Sequence, residues 1–302
     1  MKFWEFTKVK NTKIEIDRWL SDTMGLMNGG CVYSTLFKHT GGGPKDFEII
    51  LSMFPQENYH TLTYITFYMK DVPGSSAQAS KFLSDREINI LNSVSLNGIS
   101  DTVIIWKLMA DLSFAGEADL LLEELEKRKT AEDPSVSFID HILITPAEIG
   151  RMFRSDPEYH TKEEIKRAEP CTFEDGTFDI APGYGDILKN ANGRDVMLVS
   201  DAESWVLSII FFKPDTHLVN LVFEVPDNPG ALQQIFDLLA RKNLNLISVF
   251  SKVKICYQRM MVELVADVGH SDTSAQKLRD VLPKELEKLN GIFTLEKLNE
   301  LS

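Results

Sequence analysis

The residue types best suited to chemistry in this chain lie in a short run that occurs twice. Asp71-Val72-Pro73-Gly74 returns as Asp227-Asn228-Pro229-Gly230, 156 positions later (227 − 71), each time after an apolar alternating stretch and before a helical one. A glycine opening a helix lets a ligand approach the backbone, and the free N–H groups there, with the helix dipole, favour a carboxylate by ~0.3 to 1 kcal/mol. Asn228 adds a side-chain donor and acceptor, and Asn245 or Asn89, at the start of the strand after each helix, offers the same to an ammonium or carboxylate. Ala231, Leu246 and Ile247 would shape a pocket for an apolar side chain. The expected ligand-binding residues are therefore Asn228, Gly230, Ala231, Leu232, Asn245, Leu246 and Ile247, with Asp71, Gly74 and Asn89 in the first copy. Taken alone, Asp-x-Pro-Gly is also an ordinary turn.

Other reactive types are present without the spacing that chemistry needs. The glycines of Met27-Asn28-Gly29-Gly30, Gly41-Gly42-Gly43-Pro44-Lys45 and Gly183-Tyr184-Gly185 meet no phosphate-loop or dinucleotide fingerprint and read as hairpin loops. Ser, His and Asp occur without a nucleophile elbow, and Asp201 and Glu203 read as solvated residues of a hairpin tip. Cys31, Cys171 and Cys256 are odd in number and scattered, and the six histidines lack metal-ligand spacing. No cofactor, metal or catalytic residue is expected. An enzyme with its site in the β-rich stretches or between the halves remains the alternative, as does an interaction scaffold.

Charge and hydropathy narrow the partners. A formal net charge of -13 repels nucleic acid in the absence of a basic patch, and no Lys/Arg block strong enough to form one stands out. The start, Met1-Lys2-Phe3-Trp4-Glu5, lacks an apolar signal core, and residues 205–212, the longest apolar stretch, are too few to span a bilayer. No nucleic acid and no membrane partner is expected, and a cytoplasmic location fits the cysteine usage.

The elements that must position these residues repeat in register. Asn89-Ile90-Leu91 falls on Asn245-Leu246-Ile247 and Ala110-Asp111 on Ala266-Asp267 with no gap, so the repeat is a duplicated domain. In the first copy, residues 61–70 read as a strand, and Ala79, Phe82 and Leu83 mark a short helix. Strands at 88–96 and 102–112 follow, joined by a turn at Asn97-Gly98; a helix bearing Ala118, Leu121, Leu122 and Leu125 comes next, then a strand at 136–145. In the second copy the strands fall at 217–225, 245–253, 257–268 and 292–298. Its helices carry Leu232, Ile235, Phe236 and Leu239, then residues 271–289, which Pro283 should kink or split. Each copy spells β-α-β-β-α-β, the ferredoxin-like arrangement.

Ahead of each copy lie apolar strands, at 31–37 and 46–54 and at 195–200 and 204–212, with Leu51-Ser52 matching Leu207-Ser208 at the same offset. The fold class is α+β. The expected units are a β-rich unit at 1–58, a ferredoxin-like domain at 59–146, a helical linker at 147–170, a β-rich unit at 171–214 and a second ferredoxin-like domain at 215–302. The linker contains the mixed-charge run 158–167, read as an exposed helix or linker.

Asp227-Asn228-Pro229-Gly230-Ala231-Leu232 together with Arg241-Lys242-Asn243-Leu244-Asn245-Leu246-Ile247 resembles an ACT domain, most closely the regulatory ACT domain of prephenate dehydratases. The resemblance covers residues 215–301, and 59–144 in weaker form. It implies a regulatory protein that binds a small molecule, commonly an amino acid, at interfaces between paired domains, as a homodimer or beside a partner enzyme. Those dehydratases continue with an acidic residue, Ser, a basic residue and Pro; here stand Phe250-Ser251-Lys252-Val253, so phenylalanine is not implied as the ligand. The first copy departs further, with Val72 in place of Asn228 and Ser75-Ser76 in place of Ala231-Leu232.

Overall fold

In the computed structural model, residues 2–55, 61–97, 103–116, 118–147, 162–201, 206–269, 271 and 273–301 are described. The expected turn at Gly98, the hairpin tip with Glu203 and the first part of the mixed-charge run lie outside them. The first ferredoxin-like unit comprises β5 (Leu62–Lys70), α2 (Ser75–Ser84), β6 (Asn89–Asn97), β7 (Val103–Asp111), α3 (Ala118–Thr130) and β8 (Ile139–Pro146). The second comprises β14 (Leu218–Pro226), α5 (Ala231–Arg241), β15 (Asn245–Ile255), β16 (Arg259–Asp267), α6 (Ala275–Leu286) and β17 (Thr294–Glu300). Their sheets run β6-β7-β5-β8 and β15-β16-β14-β17, all neighbours antiparallel.

One face of each sheet is covered by its two helices. Ala231, Ile235, Leu238 and Leu239 recur at helical spacing and pack on Leu221, Phe223, Val262 and Leu264 of the sheet. The first unit does the same with Ala79, Phe82, Leu83, Leu121 and Leu125. α6 does not split at Pro283. The proline lies on its exposed side, while Leu278, Leu282 and Leu286 are buried along the other and hold the helix to the sheet, so one backbone hydrogen bond is lost without a break.

The remaining strands form a single sheet. β1 (Lys2–Lys10), β2 (Lys13–Glu15), β3 (Cys31–His39), β4 (Lys45–Ser52), β9 (Lys162–Arg167), β10 (Cys171–Thr172), β11 (Thr177–Asp179), β12 (Asp195–Asp201) and β13 (Val206–Phe212) order as β10-β3-β4-β13-β12-β1-β2-β11, with β9 also on β3. Its two ends are consecutive in sequence and meet at the Glu174–Thr177 bridge, so the sheet curls back on itself around Ile14, Leu36, Ile49, Phe178, Tyr184 and Phe211. Short helices α1 (Arg18–Thr23) and α4 (Ala181–Tyr184) lie between these strands in sequence. Lys162–Arg167, expected as helix or linker, is strand β9: its residues pair with Thr35 to His39 of β3.

The β4–β13 pairing joins the halves, and its register is symmetric under the 156-residue offset. Leu51 pairs with Leu207, its own repeat equivalent, while Ser52 pairs with Val206 and Ile50 with Ser208. The flanking strands are exchanged: β1 pairs with β12 of the second half and β9 with β3 of the first. From Phe47 onward, odd-numbered residues of β4 and those of β13 enter the central core; even-numbered ones face outward, and the ferredoxin-like sheets dock there, while a bulge opposite Phe212 turns Lys45 to the outward face as well. Leu62, Leu91 and Met109 pack on Ile50 and Phe54 in the first half, and Leu218, Ile247 and Val265 pack on Ile210 in the second. The three first-unit residues lie 156 positions before their second-unit counterparts, as does Phe54 before Ile210. In both edge strands a bulge at Leu91 or Ile247 marks the contact.

Leu51 and Leu207 are both fully buried at the centre of this arrangement. Truncation of either to alanine is expected to lower unfolding free energy by about 3 kcal/mol in denaturant titrations. The double variant should lose less than the sum, because each single change already removes the shared contact; strict additivity would show that the two leucines do not meet.

Candidate functional site

Both repeated turns adopt the conformation that their glycines allow. Gly74 (φ 98°) and Gly230 (φ 89°) are left-handed residues immediately before α2 and α5, and no side chain caps either helix. Asn228 and Gly230 are exposed, and a side chain added at Gly230 would meet open space. Asp227 is structural: its Oδ2 accepts from Tyr257 N at 2.6 Å and its N–H donates to Gln258 O at 3.1 Å, tying the turn to the β15–β16 hairpin. In the first copy Asp71 and Val72 are exposed, and buried Ser75 places its Oγ 2.6 Å from Lys70 O and 3.0 Å from Val72 O, filling the turn from inside. Ala231 occupies that position in the second copy and is fully buried.

The expected pocket residues divide among three places. Leu232 and Leu246 are half-buried against the helix-side core, whereas Ile247, displaced by the bulge, turns to the opposite face and packs toward Met197 and Ile210. Asn245 is exposed but distant. β14 and β15 are both antiparallel to β16 and hence parallel to each other; Asn245 shares an end of the sheet with Leu218, and the Asn228 turn follows Pro226 at the other end. A nine-residue strand puts roughly 25 Å between them. Within one unit no small ligand spans both asparagines, and the same holds for Gly74 and Asn89, because a helix joining parallel strands carries the chain back along the sheet.

A second polar centre, missed in the sequence, lies on the outward face of the central sheet. Glu48 is buried on β4, and its Oε2 is 3.1 Å from His39 Nε2 and 3.1 Å from Lys162 Nζ, while its Oε1 accepts from Ser208 Oγ at 2.8 Å. Burial pushes the Glu48 carboxyl up, yet the His39 contact, the Lys162 charge and the Ser208 hydroxyl outweigh it and hold the group at about 2. Lys162 also lies 4.7 Å over the Phe37 ring. Four residues from β3, β4, β9 and β13 thus converge although up to 169 positions (208 − 39) separate them. The available signal was Glu48 and Ser208 interrupting apolar runs at the outward phase of their strands.

The glycine loops have packing reasons. A Cβ at Gly183 would come 2.7 Å from Ala168 Cβ, and Gly29 and Gly30 exchange backbone hydrogen bonds with Phe173. A cleft of about 370 Å³ runs beside Gly183, and several of its polar groups are committed to the protein: Lys166 pairs with Asp186, Asp179 accepts from Thr12 and Ala181, and Tyr184 donates to Ser34 at 2.8 Å. Burial pushes the Tyr184 phenol up to about 12 and the Cys171 thiol upward, which leaves both protonated near neutrality. Among the described residues no cluster of three His, Cys, Asp or Glu side chains could hold a metal ion, and no described helix is long and apolar enough to cross a membrane.

No protein-family model and no curated protein matches the chain. Solved structures give distant likenesses. An unknown protein from Galdieria sulphuraria is 12% identical over 80% of this chain and 99% of its own, with a TM-score of 0.24. A putative glycine cleavage system transcriptional repressor is 10% identical over 79% and 97%, at 0.24. The regulatory subunit of aspartate kinase from Thermus thermophilus is 12% identical over 74% and 92%, at 0.22. The ferredoxin-like assignment rests on the strand order and connectivity above.

Glu48→Gln is expected to cost about 3 kcal/mol at pH 7, since Lys162 and His39 would face a neutral group in a buried place. The carboxyl is depressed in the folded state, so its stabilisation is complete above its ordinary value of 4.5 and fades as pH falls toward about 2. Urea titrations of both proteins should therefore converge across that window. A gap that stays constant with pH would dismiss the ionic role.

Proposed function

We propose that the protein is a regulatory sensor of a small molecule, most simply an amino acid, that works as a homodimer with the ligand held between subunits. The observation that carries this reading is the free edge of β15. The strand is eleven residues long and, among the described residues, pairs on one side only, and Val249, Phe250, Val253 and Ile255 along it are all exposed. A long apolar edge is a template for another strand.

Pairing β15 antiparallel with β15 of a second copy, across a two-fold axis near Phe250, brings the Asn245 end of one strand beside the Ile255 end of the other. The Asp227–Gly230 turn is hydrogen-bonded to that Ile255 end through Tyr257 and Gln258. The two asparagines that lie a sheet-length apart within one unit thus meet across the dimer. Backbone N–H groups at the start of α5 take the carboxylate, and the partner's Asn245 takes the ammonium. Because Ile247 of the same strand seats the unit on the central sheet, a ligand that fixes β15 also biases that seat, by no more than its differential affinity for the two arrangements.

Calorimetry with each amino acid up to millimolar concentration, paired with light scattering, tests this. A dimer that binds one or a few amino acids is expected, with Asn228→Ala and Asn245→Ala each weakening binding roughly tenfold. Val253→Lys, a charge on the edge, should give a folded monomer that no longer binds. Absence of binding by every amino acid overturns the reading, and binding by the monomer overturns the shared site.

A further inference from the structure

A cleft of about 380 Å³ opens between the outward face of the central sheet and β15, away from the Asn228 turn. Trp4, Lys45, Glu48 and Ser208 form one side and Ser248 and Phe250 the other. The repeat-equivalent strand segment, Asn92 to Val94, borders a hollow of only about 150 Å³. Ligand pockets begin near roughly 300 Å³, so the cleft beside Ser248 and Phe250 is of useful size and the hollow beside Asn92 is not.

The lining selects a chemical class. Lys45 takes part in no ion pair among the described residues, while both Glu48 oxygens are already occupied, one by Ser208 and the other by His39 and Lys162. In a chain with a net charge of -13, this wall therefore presents one uncompensated positive charge. Ser248 Oγ is buried and meets no hydrogen-bond partner, a state that costs roughly 1 to 3 kcal/mol unless a ligand or water supplies one. The Trp4 indole and the Phe250 ring add flat apolar surface.

We infer that the cleft binds a small carboxylate with an aromatic or branched apolar body and no α-ammonium group. The carboxylate meets Lys45 and the Ser248 hydroxyl, and the body lies against Trp4 and Phe250. An α-ammonium is disfavoured because Glu48, the one carboxylate among the described lining residues, is saturated by Lys162, His39 and Ser208. This is a different class from the zwitterion proposed for the turn, and it uses different residues. Occupancy would fill the seam between the second ferredoxin-like unit and the central sheet, next to the Ile247 contact that seats the unit.

3-Phenylpropionate, its amide and L-phenylalanine serve as probes, followed by calorimetry and by the methyl resonance of Met197, which also borders the cleft. Saturable binding of the carboxylate is expected, with the amide and the amino acid each at least roughly tenfold weaker and Lys45→Met lowering carboxylate affinity by a similar factor. Phe250→Ser, at a half-exposed position, gives a second variant less exposed to folding defects. Asn228→Ala should leave phenylpropionate binding unchanged, which separates this cleft from the turn. The inference is overturned if phenylpropionate does not saturate, if acid and amide bind alike, if Lys45→Met and Phe250→Ser keep full affinity in folded protein, or if Asn228→Ala removes binding.

Discussion

The pairing of β4 with β13 is the constraint on which the rest of this molecule depends. A duplicated hairpin has met its own copy in an isologous register, so that Leu51 faces Leu207 and the Ser52–Val206 pair is the mirror of Ile50–Ser208. In separate chains such a contact would carry the translational entropy of association; within one chain the connection supplies the partner at high effective concentration. The exchanged strands β1 and β9 then lock each half to the other, with Lys8 and Asp195 in contact at 2.9 Å across one seam. The two ferredoxin-like sheets hang from opposite ends of one shared face, and their positions follow from the dyad through the leucines.

The sequence made the local and repetitive parts of this design legible. Alternation in residues 62–70 and 218–226, the Pro-Gly breaks and the stripe through Ile235 and Leu239 each follow from periods of two or 3.6 residues, and the common offset assembled them into two copies of one topology. The pairing of β4 with β13 was not legible, since apolar strands carry no mark of their partner. β1 escaped notice because Lys2–Lys10 interleaves charges with Phe3, Trp4 and Phe6, and β9 because Lys-Glu-Glu-Ile-Lys-Arg reads equally well as a solvated helix. Its strand conformation is set by the free edge of β3 and by the buried Glu48, which gives Lys162 a counter-ion.

The candidate site was legible as types and illegible as geometry. Gly74 and Gly230 stand where a left-handed residue must precede a helix, and sequence sufficed to place them. The grouping of Asn228 with Asn245 failed on topology: strands joined by a helix run parallel, so the end of one and the start of the next lie at opposite edges of the sheet. The network around Glu48 was hidden for a different reason. Buried carboxylates need several partners at once, and here they come from four strands that only the folded sheet makes adjacent. Such a network adds little net stability over an apolar cluster, but it penalises every register that would leave one member unpaired, which suits a sheet made of two near-identical halves.

Duplication also explains why the halves could diverge while keeping one architecture. Where the second unit has Asn220 donating to Glu263 at 2.9 Å, the first has Tyr64 with Lys107 4.9 Å from its ring, so the equivalent pair of positions makes a contact in both units with different chemistry. Ser75 filled the first turn, while Ala231 left the second open at its mouth. In the same direction, Asn92 to Val94 border a hollow too small for a ligand where Ser248 to Phe250 border a cleft. Each difference leaves the packing requirement in place, since Leu62, Leu91 and Met109 still hold the first sheet to the shared face. A fold held by a dyad needs both copies for its core, so the two units are free to differ where the core makes no demand, at the mouth of the turn and on the face of the edge strand.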